Sequence, residues 1–283
     1  MTHPVPDGVA PVVRRFLRDG PAEGRLRDAA TVLVLRDGPS GVEVFLQRRS
    51  ATMASAVGHY VFPGGLVDAG DRDPDMPWAG PTPSDWALIL GGTPSEAAAL
   101  VCAAVRETFE ECGLLLAGPT PSEVVTNTRQ WSAERAALAA HQLGFADFLR
   151  GNGLLLRSDL LRAAGRWITP EWLARRYDTR FFVARLPDGQ VPHNPSSESD
   201  EILWRPVHEA VDDYADGRFR LMLPTAAVLR EINRESTAEG AWQATYNQGP
   251  VRFRVVPAEG GAIQVMTASP VGESLAYTIP PEP

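Results

Sequence analysis

The sequence contains no lysine; all 27 basic residues are arginine. That excludes a phosphate-binding loop ending in Gly-Lys-Ser/Thr and Schiff-base catalysis by a lysine amine. Cysteine is almost absent. The two present, Cys102 and Cys112, would stand about 15 Å apart on one helix at ~1.5 Å per residue, too far to bridge, which fits a reducing compartment. No His/Cys cluster has zinc-ligand spacing and no G-x-G-x-x-G follows a strand, which argues against a redox enzyme. No apolar run reaches ~18 residues, and the opening M-T-H-P-V-P-D-G lacks a basic-then-apolar leader pattern. The expectation is a cytoplasmic protein with no membrane partner. Positive charge is also in deficit, with a net charge of −8 and no basic stripe, so no nucleic-acid partner is expected. An acidic chain that handles an anion needs local arginines or a metal to offset repulsion.

What is present is a chain of 283 residues, 44% hydrophobic, enough to bury a sizeable core. A short helix is predicted around V-V-R-R-F-L. A-T-V-L-V-L (30–35) and V-E-V-F-L-Q (42–47) flank a Gly/Pro-rich turn and predict a hairpin. H-Y-V-F-P-G-G (59–65) reads as a strand ending in a glycine turn. Residues 70–92 are proline-rich and read as a loop. In T93-P-S-E, Thr93 caps a helix, Pro94 suits its first turn, Glu96 completes a capping box, and Gly113 supplies the stop. Residues 121–166 read as largely helical, T-R-F-F-V-A-R-L (179–186) and E-I-L-W-R-P (201–206) as strands, and two helices follow. The tail from 251 to 266 predicts a terminal hairpin. No linker splits the chain, which points to one elaborated α/β (α+β) domain.

The helix ending at Gly113 carries V-R-E-T-F-E-E-C-G-L (105–114). Glu107, Glu110 and Glu111 stand at i, i+3 and i+4 and share a face. Three carboxylates there repel one another and oppose the negative end of the helix dipole. Either water solvates that face or a hard, oxygen-loving cation such as Mg²⁺ or Mn²⁺ sits among the glutamates. F-P-G-G upstream adds a glycine turn that lets backbone approach an ion or ligand closely.

These residues resemble the Nudix hydrolase signature, G-x5-E-x7-R-E-U-x-E-E-x-G-U, where U is bulky and apolar. Arg106-Glu107-Thr108-Phe109-Glu110-Glu111-Cys112-Gly113-Leu114 matches its second half, and Gly65 supplies the opening glycine. The resemblance implies a Nudix-type α/β/α sandwich with a mixed sheet, here with a helical insertion and a C-terminal β-hairpin extension. It implies metal-assisted attack of water on a nucleoside diphosphate, with Glu107, Glu110 and Glu111 as metal ligands and catalytic groups. Arg106 would orient the carboxylates, and the backbone of Gly64 would face the metal. The pattern departs at Asp71, which stands where glutamate is usual. Between Asp71 and Arg106 lie 34 residues, where the signature has seven. Asp71 with a shorter reach, or Glu96 in its place, would tie the loop to the helix. The corresponding layout is an extension over 1–27, a Nudix domain over 28–235 with insertions at 70–92 and 120–165, and an extension over 236–283. A lid and a homodimer contact are both open for the 70–92 segment.

The stretch L46-Q-R-R-S-A-T-M53…G58-H-Y-V-F-P-G-G65 resembles the coenzyme A pyrophosphatase signature in Arg49-Ser50, Gly58 and Phe62-Pro-Gly-Gly. It departs from it at Ala56, where histidine belongs, and at Tyr60. R166-W-I-T-P, R175-R-Y-D-T-R-F-F and L221-M-L-P-T resemble the peroxisomal Nudix-19 type of coenzyme A diphosphatase. The substrate so implied is coenzyme A or an acyl form, with ADP-ribose, NADH or another nucleoside diphosphate as the alternative; a catalytically silent ligand-binding domain is a third reading. Arg49, Arg176 and Arg180 are candidates for phosphate recognition or for ordinary ion pairs. Trp167, Phe181 and Phe182 could stack an adenine or fill the core. In S197-E-S-D-E201, Glu201 is the candidate general base, as loop-end glutamates are in relatives.

Overall fold

The computed structural model describes residue 5 and residues 8–51, 56–193, 199–269 and 272–281. Met53, Ser197 and Glu198, quoted above, lie outside the described residues. The first half of the chain forms α1 (Val9–Asp19), β1 (Leu26–Gly38), β2 (Gly41–Arg49), β3 (Tyr60–Val61), β4 (Gly64–Leu66), β5 (Trp78–Ala79), α2 (Pro83–Leu90), α3 (Pro94–Cys112), β6 (Ala117–Gly118) and α4 (Ser132–Ala139). The second half forms α5 (Phe145–Gly151), β7 (Leu155–Arg157), β8 (Leu161–Ile168), β9 (Arg176–Arg185), β10 (Ser199–Pro206), α6 (Val207–Ala215), α7 (Leu223–Ile232), α8 (Ala238–Gln243), β11 (Pro250–Pro257), β12 (Ile263–Ser269) and β13 (Gly272–Ile279). The result is a mixed α+β fold of two units: one of Ala29–Ala164 with Arg180–Asn247, the other of Met1–Asp28 with Gly165–Thr179 and Gln248–Pro283.

In the larger unit the β1–β2 hairpin closes at Gly38↔Gly41, and β10 adds antiparallel to β2. At the far end of the hairpin the short β3 pairs with β2 (Gln47↔Val61), and β4 pairs with β1 (Thr31↔Gly64). The F-P-G-G segment therefore crosses from one strand to the other. Helix α3 is capped by Thr93, whose Oγ1 accepts the Glu96 N–H at 3.2 Å while Glu96 accepts the Thr93 N–H at 2.8 Å. It ends at Gly113 with φ 73°, a left-handed stop where glycine carries no steric penalty. Its apolar face buries Leu100, Val101, Ala104 and Phe109 against Val32, Val34 and Phe45 of the hairpin and Phe148 of α5. Each of the leucine, valine and phenylalanine side chains contributes ~1.5–3 kcal/mol of burial energy. No single helix among the described residues is long and apolar enough to cross a membrane; the bent pair α2–α3 passes by length and composition only.

Two expectations are corrected. Residues 70–92 are not a loop: they hold a 3-10 turn at Ala69–Arg72, β5 and α2. Helix α2 is started by Thr82-Pro83-Ser84-Asp85, the same capping box as Thr93-Pro94-Ser95-Glu96. The 121–166 stretch holds α4 and α5 but also β7 and the start of β8, because sheet pairing overrides the helix propensity of L-R-A-A. β7 pairs with β5 through Trp78↔Leu156 and with β6 through Ala117↔Leu156, so three segments far apart in sequence build one small sheet.

In the smaller unit the tail is a three-stranded meander, β11–β12–β13, and β11 runs parallel to β8 at Pro250↔Arg166. Phe16 of α1 packs on Trp172 (5.7 Å between ring centroids), which in turn packs on Phe253 (6.1 Å).

Candidate active site

Arg106 lies at the centre of the site. Its side chain is 6% exposed, and all five of its N–H groups are used. Nε and Nη2 each donate to Asp71 at 2.9 Å, Nη1 donates to Glu107 (2.9 Å) and Glu110 (3.2 Å), and Nη2 also donates to the Leu66 carbonyl (2.9 Å). Burial by itself would lower its pKa; Asp71, Glu107 and Glu110 hold it above its ordinary value. Asp71 therefore ties the enlarged loop to α3, and Glu96 does not substitute: it is spent on the exposed cap. Asp71 also accepts from the Asp68 N–H (2.8 Å) and from Cys102 Sγ (3.3 Å).

The third carboxylate points elsewhere. Glu111 accepts from Gln47 Nε2 of β2 and from the Gly64 N–H at 2.9 Å. Glu107 flanks the next glycine: a Cβ on Gly65 would lie well inside van der Waals contact of its carboxylate. Glu107 and Glu111 thus border one glycine pair, while Glu110 stays with Arg106. Burial pushes Glu107 up to about 7, with Arg106 pulling the other way, and burial also raises Glu110.

Among the described residues no group of three His, Cys, Asp or Glu side chains is gathered as a ready metal cage. The donors nonetheless fit a hard divalent cation. They are carboxylate oxygens, backed by Gln47 Oε1, a buried atom with no hydrogen-bond partner.

The other sequence candidates are dispersed. Side chains alternate across a strand. Gln47 faces α3, so Arg49, two residues along β2, shares that face. Arg48 takes the opposite one, and Tyr60 and Glu201 are its cross-strand partners. There Glu201 accepts from Tyr60 (3.0 Å) and pairs with Arg48 (3.0 Å). Glu201 is therefore not brought to the glutamates of α3. Arg180 is buried and donates to the Leu90 carbonyl at the end of α2 (3.3 Å). Arg176 belongs to the smaller unit, where it meets the Thr169 carbonyl (3.3 Å) and Glu171 (3.7 Å). Phe181 and Phe182 are buried in the larger unit, and Trp167 packs on Phe253 at 6.0 Å. His59 Nδ1 lies 3.2 Å from the Val57 carbonyl. Gln47 is the site residue that sequence reasoning missed; Asp71 was left open with Glu96 as the tie between loop and helix, and the structure decides for Asp71. A glutamine in a β-branched, apolar strand was the available signal for Gln47. For Asp71 the signal was its place six residues after Gly65, at the glutamate position of the signature.

A sheet-borne glycine turn laid against a helix of three glutamates and a buried arginine defines a Nudix domain. A computed family model described as the NUDT19 Nudix domain matches residues 89–232, just over half of the sequence. The chain belongs to that family. It is 31% identical over 253 residues to the acyl-coenzyme A diphosphatase NUDT19 of Gallus gallus, covering 70% of this chain and 65% of the relative. It is 26% identical over 269 residues to the protein of the same name from Homo sapiens, covering 76% and 70%. The chain thus spans just under two thirds of the chicken protein's length. Among solved structures, a Nudix hydrolase from Alicyclobacillus acidocaldarius is similar with a TM-score of 0.70 at 30% identity, covering 80% of this chain and 99% of that one.

Proposed function

We propose that this chain is a metal-dependent hydrolase that cleaves the diphosphate of coenzyme A or an acyl-coenzyme A. The products would be the phosphopantetheine and adenosine 3′,5′-bisphosphate. The observation that supports this most is the flanking of Gly64–Gly65 by Glu107 and Glu111, in a chain whose relatives carry the name acyl-coenzyme A diphosphatase. In this reading Glu107 and Glu111 hold Mg²⁺ or Mn²⁺, with Glu110 as a further oxygen donor. The metal, when bound, neutralises the diphosphate and lowers the pKa of a water. Asp71 fixes Arg106, and Arg106 in turn fixes Glu107 and Glu110, so the carboxylates are held before substrate arrives. Gly65, lacking a side chain, lets the Glu107 carboxylate lie against the turn, and Gly64 lets the turn pack on Thr31 of β1 while its N–H meets Glu111. Arg49, on the face of Gln47, supplies a guanidinium for a phosphate. A water oxygen bonds to one phosphorus, the bridging P–O bond breaks, and the water's proton is lost to solvent or a base. The partner is a small nucleoside diphosphate, with neither nucleic acid nor membrane involved.

The test is hydrolysis of coenzyme A in H₂¹⁸O with Mg²⁺ or Mn²⁺, with products identified by mass spectrometry. The label should appear in one of the two named products. Turnover of ADP-ribose or NADH with none of coenzyme A would overturn the substrate. Glu111→Gln should lower turnover by more than the ~10–100-fold typical of an outer-shell partner while the protein stays folded. Unchanged turnover in that variant would overturn the role of the glutamates, and metal uptake with no hydrolysis of any diphosphate would favour the silent, ligand-binding reading.

A further inference from the structure

The loop that follows Gly65 and the 120–165 insertion meet at one cavity. The loop after Gly65 supplies Asp68 and Asp71; the insertion supplies Leu138, His141, Leu143 and Phe145; α3 supplies Arg106 and Glu110. The cavity holds about 240 Å³, below the ~300–1,000 Å³ of a site that takes a whole ligand. It therefore takes part of one. Leu138 and Phe145 make a buried apolar floor. Above it stand the carboxylates of Asp68 and Glu110, which accept hydrogen bonds and repel anions. Arg106 cannot offset that repulsion for a phosphate, because its five N–H groups are committed.

His141 carries a second, independent signal. Helix α4 ends in a Schellman-type closure, with His141 N–H on the Leu138 carbonyl and Gln142 N–H on the Ala137 carbonyl, both at 2.8 Å. His141 occupies the left-handed position at φ 54°, where glycine is at ease and histidine is not. The chain keeps an imidazole there, with Nδ1 3.4 Å from Asp68 Oδ2 at the cavity wall. Backbone strain retained beside a cavity points to a side chain held for use.

We infer that this cavity binds the uncharged, amide-bearing pantetheine arm of the substrate. Apolar carbons lie on Leu138, Leu143 and Phe145, and amide groups hydrogen-bond with Asp68, Glu110 and His141. The inference rests on the coenzyme A reading above and assigns the arm to one side of the site, beside Glu110.

The experiment is calorimetric binding of free pantetheine, which has no phosphate, to the full chain, with adenosine as a control probe. Wild type should bind pantetheine with a dissociation constant in the millimolar range. Leu143→Trp, which fills the cavity, should weaken it about tenfold or more. His141→Gly should also weaken it, yet raise the unfolding midpoint, because glycine relieves the left-handed position. A histidine kept only for structure would not separate those two readouts. Absence of pantetheine binding at 10 mM overturns the inference even if coenzyme A is hydrolysed. Pantetheine binding unchanged within about twofold in both variants overturns it too, as does adenosine binding that Leu143→Trp removes. Pantetheine binding as described, with no diphosphate hydrolysed, leaves this inference standing and defeats the hydrolase reading instead.

Discussion

Replacing Asp71 by alanine is the sharpest test of how the site is held. In the wild type its carboxylate, 1% exposed, takes two N–H groups of Arg106, itself 6% exposed, together with the Asp68 N–H. Asp71→Ala removes the partner of a buried guanidinium and leaves that charge with Glu107 and Glu110 only. Removing one member of a buried, hydrogen-bonded ion pair costs ~3–5 kcal/mol, a large share of the ~5–15 kcal/mol by which a typical domain is stable. Urea or guanidinium unfolding, extrapolated linearly to water, measures the difference directly. Asp71→Asn, which keeps the shape and loses the charge, should fall between. Glu96→Gln serves as the comparison because Glu96 is the other acid that could have tied the loop to the helix. It sits in an exposed cap, so its replacement should shift the midpoint far less. A loss below about 1 kcal/mol for Asp71→Ala, or equal losses at the two positions, would refute the argument that Asp71 anchors Arg106.

The remaining predictions concern the glutamates, the glycine pair and the thiols. Glu107 is raised to about 7 from its ordinary 4.5 in the folded state, so folding favours its protonated form. That stabilisation is complete below about 4.5 and is lost as pH rises through about 7. With metal chelated, Glu107→Gln should flatten the pH dependence of unfolding between these limits; a wild-type dependence retained in the variant would contradict it. Metal uptake near pH 6 should release a proton, visible as a buffer-dependent heat in calorimetry. Gly65→Ala should crowd the Glu107 carboxylate and lower turnover far more than stability, since the neighbour it meets is the mobile end of a side chain; unaltered turnover would show that the carboxylate has room to spare. Cys102 and Cys112 are free, buried thiols, both raised mainly by burial, Cys112 to about 12. A thiol reagent at neutral pH should therefore titrate neither until the protein unfolds.

Elements with their own local signal were legible in the chain. The cap at Thr93, the glycine at Gly113 and the i, i+3, i+4 glutamates all act within a few residues, and helix geometry alone relates them. T82-P-S-D carries the same signal as T93-P-S-E, and it was obscured only by the surrounding prolines. Leu161–Ile168 was not legible, because neighbouring strands overrode its local preference. Nor was the face taken by Glu201: strand pairing with Arg48, through a register shift between Ser199 and Glu201, puts it away from Gln47. The dispersal of Arg176 and Arg180 likewise follows from partners distant in sequence.

By itself, then, the sequence determined the family, the acidic helix and the glycine turn, because each is encoded in a contiguous stretch whose spacing has one physical reading. Tertiary structure alone decided that Asp71 meets Arg106 across 34 intervening residues, that Gln47 and Gly64 meet Glu111, and that His141 stands beside Asp68. Such contacts depend on how the loop and the insertion pack on α3, and no local propensity encodes that packing.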